Sequence, residues 1–514
     1  MRLADLLAGL SRLADLGFGL SSGESLRSAV LAVTLSRSLD LPDEDVRASM
    51  YTALLLHVGC VGYAHETVQL FGDEFVLNLA AERTNRAERR DVAGTLLPAL
   101  THGRPPLVKL QLAVAALTRG RRFGHAYDTV SCEVGRDAAR RLGLPEDVQR
   151  SIYHSSEWWN GGGAPEGLAA DAVPVGARIA MLTSVAVLFD TAAGRDAAID
   201  AVRERGGGML DPRLVERFTA QATALLDEVD ADDPRDLLLA AEPPPVMSVP
   251  EPKLREVAAV FGDLADLKTP ATYGHSRGVA ALARSAGEQL GLAAAALAEL
   301  EVAGSLHDVG RVAISNTVWE KQGPLTAHEW EQVRLHAYHS ERILSGSQRL
   351  APLARLVGMH HERCDGSGYH RGCADAELTV AARILAAADA YQAMTEPRPH
   401  RPAMTPEQAE AELLVDARKG AFDADAVGAV LAAAGRDVAV VRRKLPAGLT
   451  DRELEVLRLI ADGCSNREIA QQLVISRRTA EHHVQRIYAK IGTSNRAAAA
   501  MFAMEHQLLG REDP

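Results

Sequence analysis

A set of five histidines and two aspartates is spread between residues 273 and 401, on sequence that is otherwise apolar, alanine-rich and helical. They come from five separate segments of this stretch, beginning with YGHSRG and SLHDVGR and ending with AADAYQAM. The seven side chains are His275, His307, Asp308, His336, His360, His361 and Asp389. Imidazole nitrogens and carboxylate oxygens together suit borderline first-row metals better than calcium or a thiolate zinc site. The set therefore predicts helices that converge on one metal centre.

The number of ligands indicates two ions rather than one. Seven side chains can hold two ions and leave positions for water and substrate, and the carboxylate of the adjacent His307-Asp308 pair can bridge them. Two ions about 3.5–4 Å apart can clamp a phosphodiester and lower the pKa of a bound water. A single histidine on an apolar face is more often an ordinary core residue, so the ordered set carries the prediction.

The order His, HD, His, HHE-x-x-DGSGY, Asp resembles the HD-GYP family of HD-superfamily phosphohydrolases, over roughly residues 252–434. The resemblance implies an all-helical domain that holds two or three divalent ions, iron or manganese, and hydrolyses cyclic di-GMP. By position, the seven side chains match the metal ligands of the family. The resemblance also implies a set of substrate-binding residues: Arg311, Gly366, Gly368, Tyr369, Arg398 and Arg401. A guanidinium suits a phosphate diester, although a basic run such as RPHRP is also typical of a solvated turn.

This chain departs from the family pattern at several positions. The GYP of the family is Gly368-Tyr369-His370 here, so the fixed φ of proline is lost. The lysine after the HD pair is Arg311, and the aspartate three residues after the last ligand is Gln392. The glutamate that adds a third metal in some members falls at Ala271, which favours two ions.

These departures leave two main hypotheses open: a phosphodiesterase, or a pocket that senses a nucleotide without hydrolysing it. A hydrolase of ordinary nucleotides is a weaker third alternative, since the DGSGY turn argues against it.

The first half of the chain, 1–235, resembles the later stretch and predicts an internal duplication. A numbering offset of 250 places Ser25, His57 and Val58 under His275, His307 and Asp308. An offset of 205 places Ser131, Ser155, Ser156 and Ser184 under His336, His360, His361 and Asp389. Only His57 could act as a ligand, and one imidazole cannot hold two ions, so we predict no catalytic metal here. This half is then a packing or dimerising scaffold, or a small-ligand pocket lined by serines and by Trp158 and Trp159.

The C-terminal stretch, 449–514, predicts a helix-turn-helix of four helices. Thr450 and Glu453 form a capping-box pattern at the first helix, and Gly463 ends it. The text LTDRELEVLRLIADGCSNREIAQQLVISRRTAEHHVQRIYAKIG resembles the LuxR-type (GerE-like) DNA-binding domain, whose fourth helix often dimerises. The predicted DNA-binding residues are Arg477, Arg478, Thr479, His482, His483, Arg486 and Lys490. A solvated helix in a protein-interaction bundle is the alternative.

Composition fits this organisation. Aromatic residues make up only 4% of the chain, which favours helix packing over sheets. The net charge of −12 excludes a generic polyanion binder, so contact with nucleic acid must be local. The five cysteines show no CxxC spacing, the N-terminus is too charged for a signal peptide, and no apolar span of membrane length is expected. We therefore expect a cytoplasmic protein that does not bind membranes.

The predicted fold is all-α: two HD-type helical domains followed by a four-helix LuxR-type domain. The predicted boundaries are 1–235 for the degenerate domain, 236–252 for a Pro-rich linker, 253–436 for the intact domain, 437–448 for a second linker and 449–514 for the DNA-binding domain. The expected partners are DNA, a cyclic dinucleotide and a second copy in a homodimer. The predicted function is a bacterial transcriptional regulator that combines a two-metal cyclic di-GMP hydrolase with sequence-specific DNA binding.

Overall fold

The computed structural model describes residues 1–436, 446–506 and 508. These residues form α-helices joined by short 3-10 segments, and the described ranges contain isolated β-bridges but no strand. The all-α prediction is confirmed. The predicted second linker, 437–448, lies outside the described residues as far as position 445, and so do residue 507 and residues 509–514.

The first half contains thirteen helices in the described residues. They are α1 Leu3–Phe18, α2 Glu24–Ser38, α3 Asp43–Leu55, α4 Ala64–Phe71, α5 Glu74–Arg83, α6 Arg89–Asp91, α7 Leu97–Thr101, α8 Pro106–Arg141, α9 Glu146–Tyr153, α10 Val175–Ala193, α11 Arg195–Glu204, α12 Pro212–Val229 and α13 Pro234–Ala241. The second half has α14 Leu254–Asp266, α15 His275–Gln289, α16 Ala294–Leu306, α17 Asn316–Trp319, α18 Ala327–Leu344, α19 Ala351–Gly358, α20 Val380–Thr395, α21 Pro406–Lys419 and α22 Ala424–Ala433. The C-terminal domain has α23 Asp451–Ala461, α24 Asn466–Gln472, α25 Arg477–Ile491 and α26 Arg496–Glu505.

Local sequence signals explain many helix starts. The hydroxyl of Thr405 accepts from the backbone N–H of Gln408 and begins α21, with Pro406 at the first helical position. Thr450 and Glu453 form the predicted capping box of α23. The four predicted helices of the C-terminal domain are present and enclose their own core, which is separate from the core of the rest of the chain.

Helices of the two halves correspond in length and spacing. Helices α2 and α15 have 15 residues each, α3 and α16 have 13, and α9 and α19 have 8. The starting positions of the first two pairs differ by a numbering offset of 251, and those of the third pair by an offset of 205. The offset of 205 agrees with the sequence comparison, but the offset of 250 is wrong by one. With 251, Glu24, Leu56 and His57 correspond to His275, His307 and Asp308.

The sequence comparison missed this register because LLLH can be aligned on SLHD in two ways. In the structure, a close approach of two backbones shows which of the two alignments is correct. A Cβ on Gly59 would lie 2.0 Å from the carbonyl oxygen of Ser131, and a Cβ on Gly310 would lie 2.1 Å from that of His336. Both positions therefore require glycine, and the two glycines correspond to each other only in the register of the helix starts.

The two halves share one hydrophobic core. Helix α1 reaches across to the second half, where a Cβ on Gly9 would lie 2.7 Å from Ser347. The segment 236–252 is also packed in part, not a free spacer: Leu238 is fully buried, and the buried Glu242 accepts from the hydroxyl of Tyr51 at 3.0 Å. The apolar side chains of α13 explain this packing. We therefore describe the two halves as one body.

A buried ion pair joins the halves beside the histidine-rich segments. The Lys268 ammonium lies 3.0 Å from a carboxylate oxygen of Glu74 on α5, and both side chains are at most 2% exposed. Glu74 also accepts from the backbone N–H of Asn316 at 2.9 Å and from the Ser315 hydroxyl at 2.8 Å. Lys268 donates to the carbonyl of Val312 at 2.8 Å. The first half thus holds the segment that follows His307 and Asp308.

In the part of the chain that the structure describes, one helix is long and apolar enough to cross a membrane by length and composition, although Arg178 and Asp190 interrupt its apolar run. Helix α10 has 19 residues. An 18-residue window of this helix has a mean hydropathy of 1.4, and 56% of that window is buried inside the protein. It packs against α2, α3 and α11 in the shared core. One such helix is weak evidence for a membrane span, because the core helix of a soluble protein has the same composition.

Candidate metal centre

The seven predicted ligands converge, in two groups. His336, His360 and His361 form one group, and His275, His307 and Asp308 form the other; within each group the ligating atoms lie within 4.8 Å of one another. Among these side chains, only His361 is more than slightly exposed. Asp389, from the middle of α20, lies between the groups. The helices α15, α16, α18, α19 and α20 each place at least one ligand at or beside this point.

Two carboxylates span both groups. Asp308 has Oδ1 3.3 Å from Nε2 of His336, and Oδ2 3.5 Å from Nε2 of His307. Asp389 has Oδ1 3.2 Å from Nε2 of His275, and Oδ2 3.6 Å from Nδ1 of His361. Ligand atoms that share one ion at bonds of about 2.0–2.1 Å lie roughly 3–3.5 Å apart. Each of these two carboxylates could therefore contribute one oxygen to an ion held by each histidine group.

The histidine tautomers leave the ligating nitrogens free. Nδ1 of His307 lies 2.7 Å from the carbonyl of Gly304, Nδ1 of His336 lies 2.5 Å from that of Val333, and Nδ1 of His360 lies 2.6 Å from that of Val357. A carbonyl can only accept, so each Nδ1 carries the proton and each Nε2 presents its lone pair. In all three cases the acceptor is three residues back, in the preceding helical turn.

These lone pairs face one another without a proton donor between them. Nε2 of His336 and Nε2 of His360 are 3.0 Å apart. Nε2 of His307 and Oδ1 of Asp308 are buried and lack hydrogen-bond partners among the described residues. Buried polar atoms are normally satisfied, and converging lone pairs repel unless a cation lies near them. The donor set therefore fits divalent metal ions.

The protonation preferences differ within the site. Burial alone would lower the pKa of His275 and His307, but the carboxylates of Asp389 and Asp308 raise both, to about 9 for His275, so an ion bound by these two histidines would displace a proton. Burial, together with the nearby His307 and His336, lowers the pKa of His360 to about 3 and keeps its imidazole neutral. Burial alone would raise the pKa of Asp308, but His307, Arg311 and His336 lower it well below the ordinary 3.8. Neutral imidazoles and ionised carboxylates are the forms that bind metal.

The predicted substrate-binding residues differ in their contacts. Nη1 of Arg311 lies 3.1 Å from Oδ2 of Asp308, and its guanidinium stacks on Trp319 at 4.0 Å. Arg398 donates to Glu396 at 3.2 Å, and burial and the charge of Arg311 lower the pKa of Arg398. Arg401 instead donates to carbonyls at the end of α20, including that of Ala393 at 2.6 Å. Its guanidinium therefore holds the helix end in this structure.

The other three residues shape the mouth of the site. Gly366 has φ 76°, which favours glycine, and a Cβ on Gly368 would meet the backbone of Glu362 and Arg363 at 2.5 Å. The ring of Tyr369 lies 4.6 Å from that of His361, tilted by 31°. Tyr369 thus covers the more exposed group of ligands, while the glycines permit the turn that places it there.

Sequence reasoning missed Glu396 and Trp319. Oε2 of Glu396 lies 2.9 Å from Nδ1 of His275, and the Trp319 ring packs edge-on against His336 at 5.7 Å. Glu396 lies two residues before the basic run RPHRP, but nothing in a linear pattern pairs a residue with a histidine 121 positions earlier. Trp319 lies on the short helix α17 that follows the HD segment, and its aromatic character was the one available signal.

Helix α25 exposes most of the predicted DNA-binding residues. Arg477, Arg478, Thr479, His482 and Arg486 are exposed, and His483 is half-buried. Lys490 is engaged inside the domain: its ammonium donates to the carbonyl of Gly448 at 2.7 Å and pairs with Glu453. Gln485, which the sequence analysis did not single out, is exposed one helical turn after His482.

We expect metal ions to stabilise this centre measurably. A ligand that binds only the folded state at 100 times its Kd adds about 2.7 kcal/mol to the free energy of unfolding. Addition of Mn²⁺ to chelator-treated protein should therefore raise the thermal midpoint of wild type. The same addition should leave an Asp308→Asn variant nearly unchanged. An equal shift in both proteins would place the bound Mn²⁺ elsewhere.

Two family models match parts of this chain. Residues 259–426 match the HD domain, and residues 447–503 match the bacterial regulatory proteins of the luxR family. The HD match encloses all seven predicted ligands, and the luxR match encloses the whole of α25.

Relatives and a solved structure extend the similarity. The chain is 28% identical over 405 residues to 3′3′-cGAMP-specific phosphodiesterase 3 of Vibrio cholerae, covering 78% of this chain and 88% of the relative. It is 31% identical over 276 residues to a cyclic di-GMP phosphodiesterase of Pseudomonas aeruginosa, covering 52% of this chain and 57% of that relative. The crystal structure of a cyclic GMP-AMP specific phosphodiesterase of V. cholerae superposes with a TM-score of 0.58 at 25% identity, covering 85% of this chain and 98% of that one. An alignment that covers 78% of this chain is longer than the chain from position 259 to its end, so it includes part of the first half.

Proposed function

We propose that this chain, which carries an HD domain and a C-terminal luxR-family domain, is a cytoplasmic bacterial transcriptional regulator that hydrolyses a cyclic dinucleotide. The observation that carries the proposal is the pair of ligand groups spanned by Asp308 and Asp389. Their spacing suits two divalent ions, which we take to be iron or manganese. The relatives named for cyclic di-GMP and for 3′3′-cGAMP support this substrate class.

Each part of the site has a role in the proposed reaction. Hydrolysis adds the oxygen of water to one phosphorus, breaks the bond to the 3′ oxygen, and passes a proton to that oxygen to give a linear dinucleotide. Bound divalent ions would supply a polarised phosphate and an acidified water. Arg311 contacts Asp308, and Arg398 contacts Glu396, which contacts His275; the charges of both guanidinium groups can hold the non-bridging oxygens. Tyr369 closes one side against solvent.

The assay for this function measures both products and metal. Purified full-length protein is supplied with Mn²⁺ or Fe²⁺ and with cyclic di-GMP or 3′3′-cGAMP separately, and linear product is followed by chromatography. Linear product from either substrate, dependent on metal, supports the proposal. Binding of a cyclic dinucleotide without product would instead support the sensor hypothesis, which the engagement of Arg401 with backbone carbonyls favours.

We propose further that the first half is a degenerate copy that binds no catalytic metal. The corresponding site contains Glu24, His57 and Ser184 around a cavity of about 10 Å³, which is room for about one water. Phe18 stacks on His57 at 4.2 Å. So small a cavity argues against a ligand bound beside His57. The Glu74 contacts favour the scaffold alternative, because they hold the segment next to Asp308.

The DNA-binding part of the proposal predicts a local loss of affinity. Arg478→Ala and His482→Ala remove exposed side chains of α25, and one good base contact contributes about 1–3 kcal/mol. We expect each to weaken binding of a promoter fragment by about tenfold or more, measured by fluorescence anisotropy. Arg203→Ala, in the exposed Arg203–Asp200 pair of the first half, is the control and should bind as wild type.

Lys490→Ala should behave differently, by lowering the thermal stability of the domain, because Lys490 holds Glu453 and the start of α23. A pure affinity loss without destabilisation would place Lys490 on DNA, as the sequence predicted.

A further inference from the structure

Four of the metal-site histidines depend on a second contact to fix the ring. Three of them, at positions 307, 336 and 360, donate Nδ1–H to a carbonyl three residues back. His275 is the first residue of α15, so it has no preceding turn of its own helix to supply that carbonyl. Its Nδ1 faces instead the carboxylate of Glu396, at 2.9 Å. The partner of this histidine must come from another element.

Glu396 is held in place by a built set of contacts. Nε2 of Gln392 donates to Oε1 at 2.7 Å, and Arg398 donates to Oε2 at 3.2 Å. Gln392 itself lies against Gly278, where a Cβ would come within 2.5 Å of its amide. The glycine therefore leaves the space in which the longer glutamine can reach Glu396. Each carboxylate oxygen has a partner besides solvent.

We propose that Glu396 is the positioning residue for His275, and that the Gln392–Glu396 pair replaces the aspartate that the HD-GYP pattern has at position 392. This inference rests on the proposed function, because it assigns a role at the same centre. A carboxylate on the far nitrogen of a ligating histidine fixes the tautomer, orients the ring and raises its basicity. The same carboxylate also accepts from Arg398, the guanidinium that we assign to the substrate phosphate. Glu396 therefore links Arg398 to the ligand group of His275.

The test measures Mn²⁺ binding to the chelator-treated full-length protein, independently of turnover. We expect wild type to bind two ions. Glu396→Ala should lower the affinity for one of them by about 10- to 100-fold. The ion at His336, His360 and His361 should keep its affinity. Glu396→Gln preserves the shape of the side chain, so its Mn²⁺ affinity should lie between those of wild type and Glu396→Ala. Glu331→Gln removes a glutamate of α18 that is 69% exposed, and it serves as the control.

A rescue separates positioning from general damage. In the Glu396→Ala background, Gln392→Asp restores a carboxylate one helical turn earlier on α20 and should recover much of the lost affinity. If wild type binds two ions and Glu396→Ala binds both equally well, the inference is overturned while the proposed function stands. If Gln392→Asp recovers nothing although Glu396→Gln is folded and weakened, Glu396 acts other than through His275. If wild type binds no Mn²⁺, the proposed function fails, and this inference fails with it.

Discussion

Replacement of Asp308 by asparagine is expected to remove the metal centre and with it cyclic dinucleotide hydrolysis. Asp308 is one of the two carboxylates whose oxygens face different histidine groups, and its own oxygens lie at 3.3 Å and 3.5 Å from His336 and His307. Loss of an outer contact to a ligand costs about 10- to 100-fold in metal affinity or activity, so loss of a bridging ligand should cost more than 100-fold. We expect metal content to fall from about two ions per chain to one or none.

The measurement is elemental analysis of the purified variant beside initial rates of hydrolysis. Asp425→Asn, which removes an exposed aspartate from the first turn of α22, controls for the loss of one carboxylate. Its metal content and rate should equal those of wild type. Retention of two ions and of activity by Asp308→Asn would contradict the bridging role. Retention of the ions with loss of activity would limit Asp308 to the chemical step.

The second large effect is expected at the ion pair between the halves. Lys268→Met leaves the Glu74 carboxylate buried without its cation, and breaking a buried pair on one side costs about 3–5 kcal/mol. The double variant Glu74→Gln/Lys268→Met removes both charges and should regain much of that loss. Urea unfolding followed by circular dichroism measures the change, with the two halves expected to unfold together because they share one core.

The same substitution tests the coupling of the first half to the metal centre. Lys268 also holds the carbonyl of Val312, and Glu74 holds the N–H of Asn316, shortly after Asp308 in the chain. We therefore expect Lys268→Met to weaken Mn²⁺ binding as well as folding. Asp200→Asn breaks an exposed pair and should change stability by less than about 1 kcal/mol. Equal effects of the buried and exposed substitutions would contradict the role of this pair.

The helices could be predicted from the spacing of apolar residues and from the capping residues at their ends. Caps such as Thr405 and Thr450 depend on residues within one turn, so the sequence contains the whole signal. The seven ligands were predicted as a set because their order along the chain matched one pattern, and the structure brings all seven together. The register of the first half was missed by one position, because two alignments were equally good locally and only the backbone contact at Gly59 distinguishes them.

Residue type and spacing were enough to predict the helical class, the set of seven candidate ligands and the helix α25. Tertiary structure alone decided which side chain supports which ligand. It placed Glu396 on His275 from 121 positions away, engaged Arg401 and Lys490 with carbonyls of their own domains, and buried Glu74 against Lys268. Such contacts depend on how helices pack. Residues that are distant in the chain carry no local sequence signal that they will be in contact.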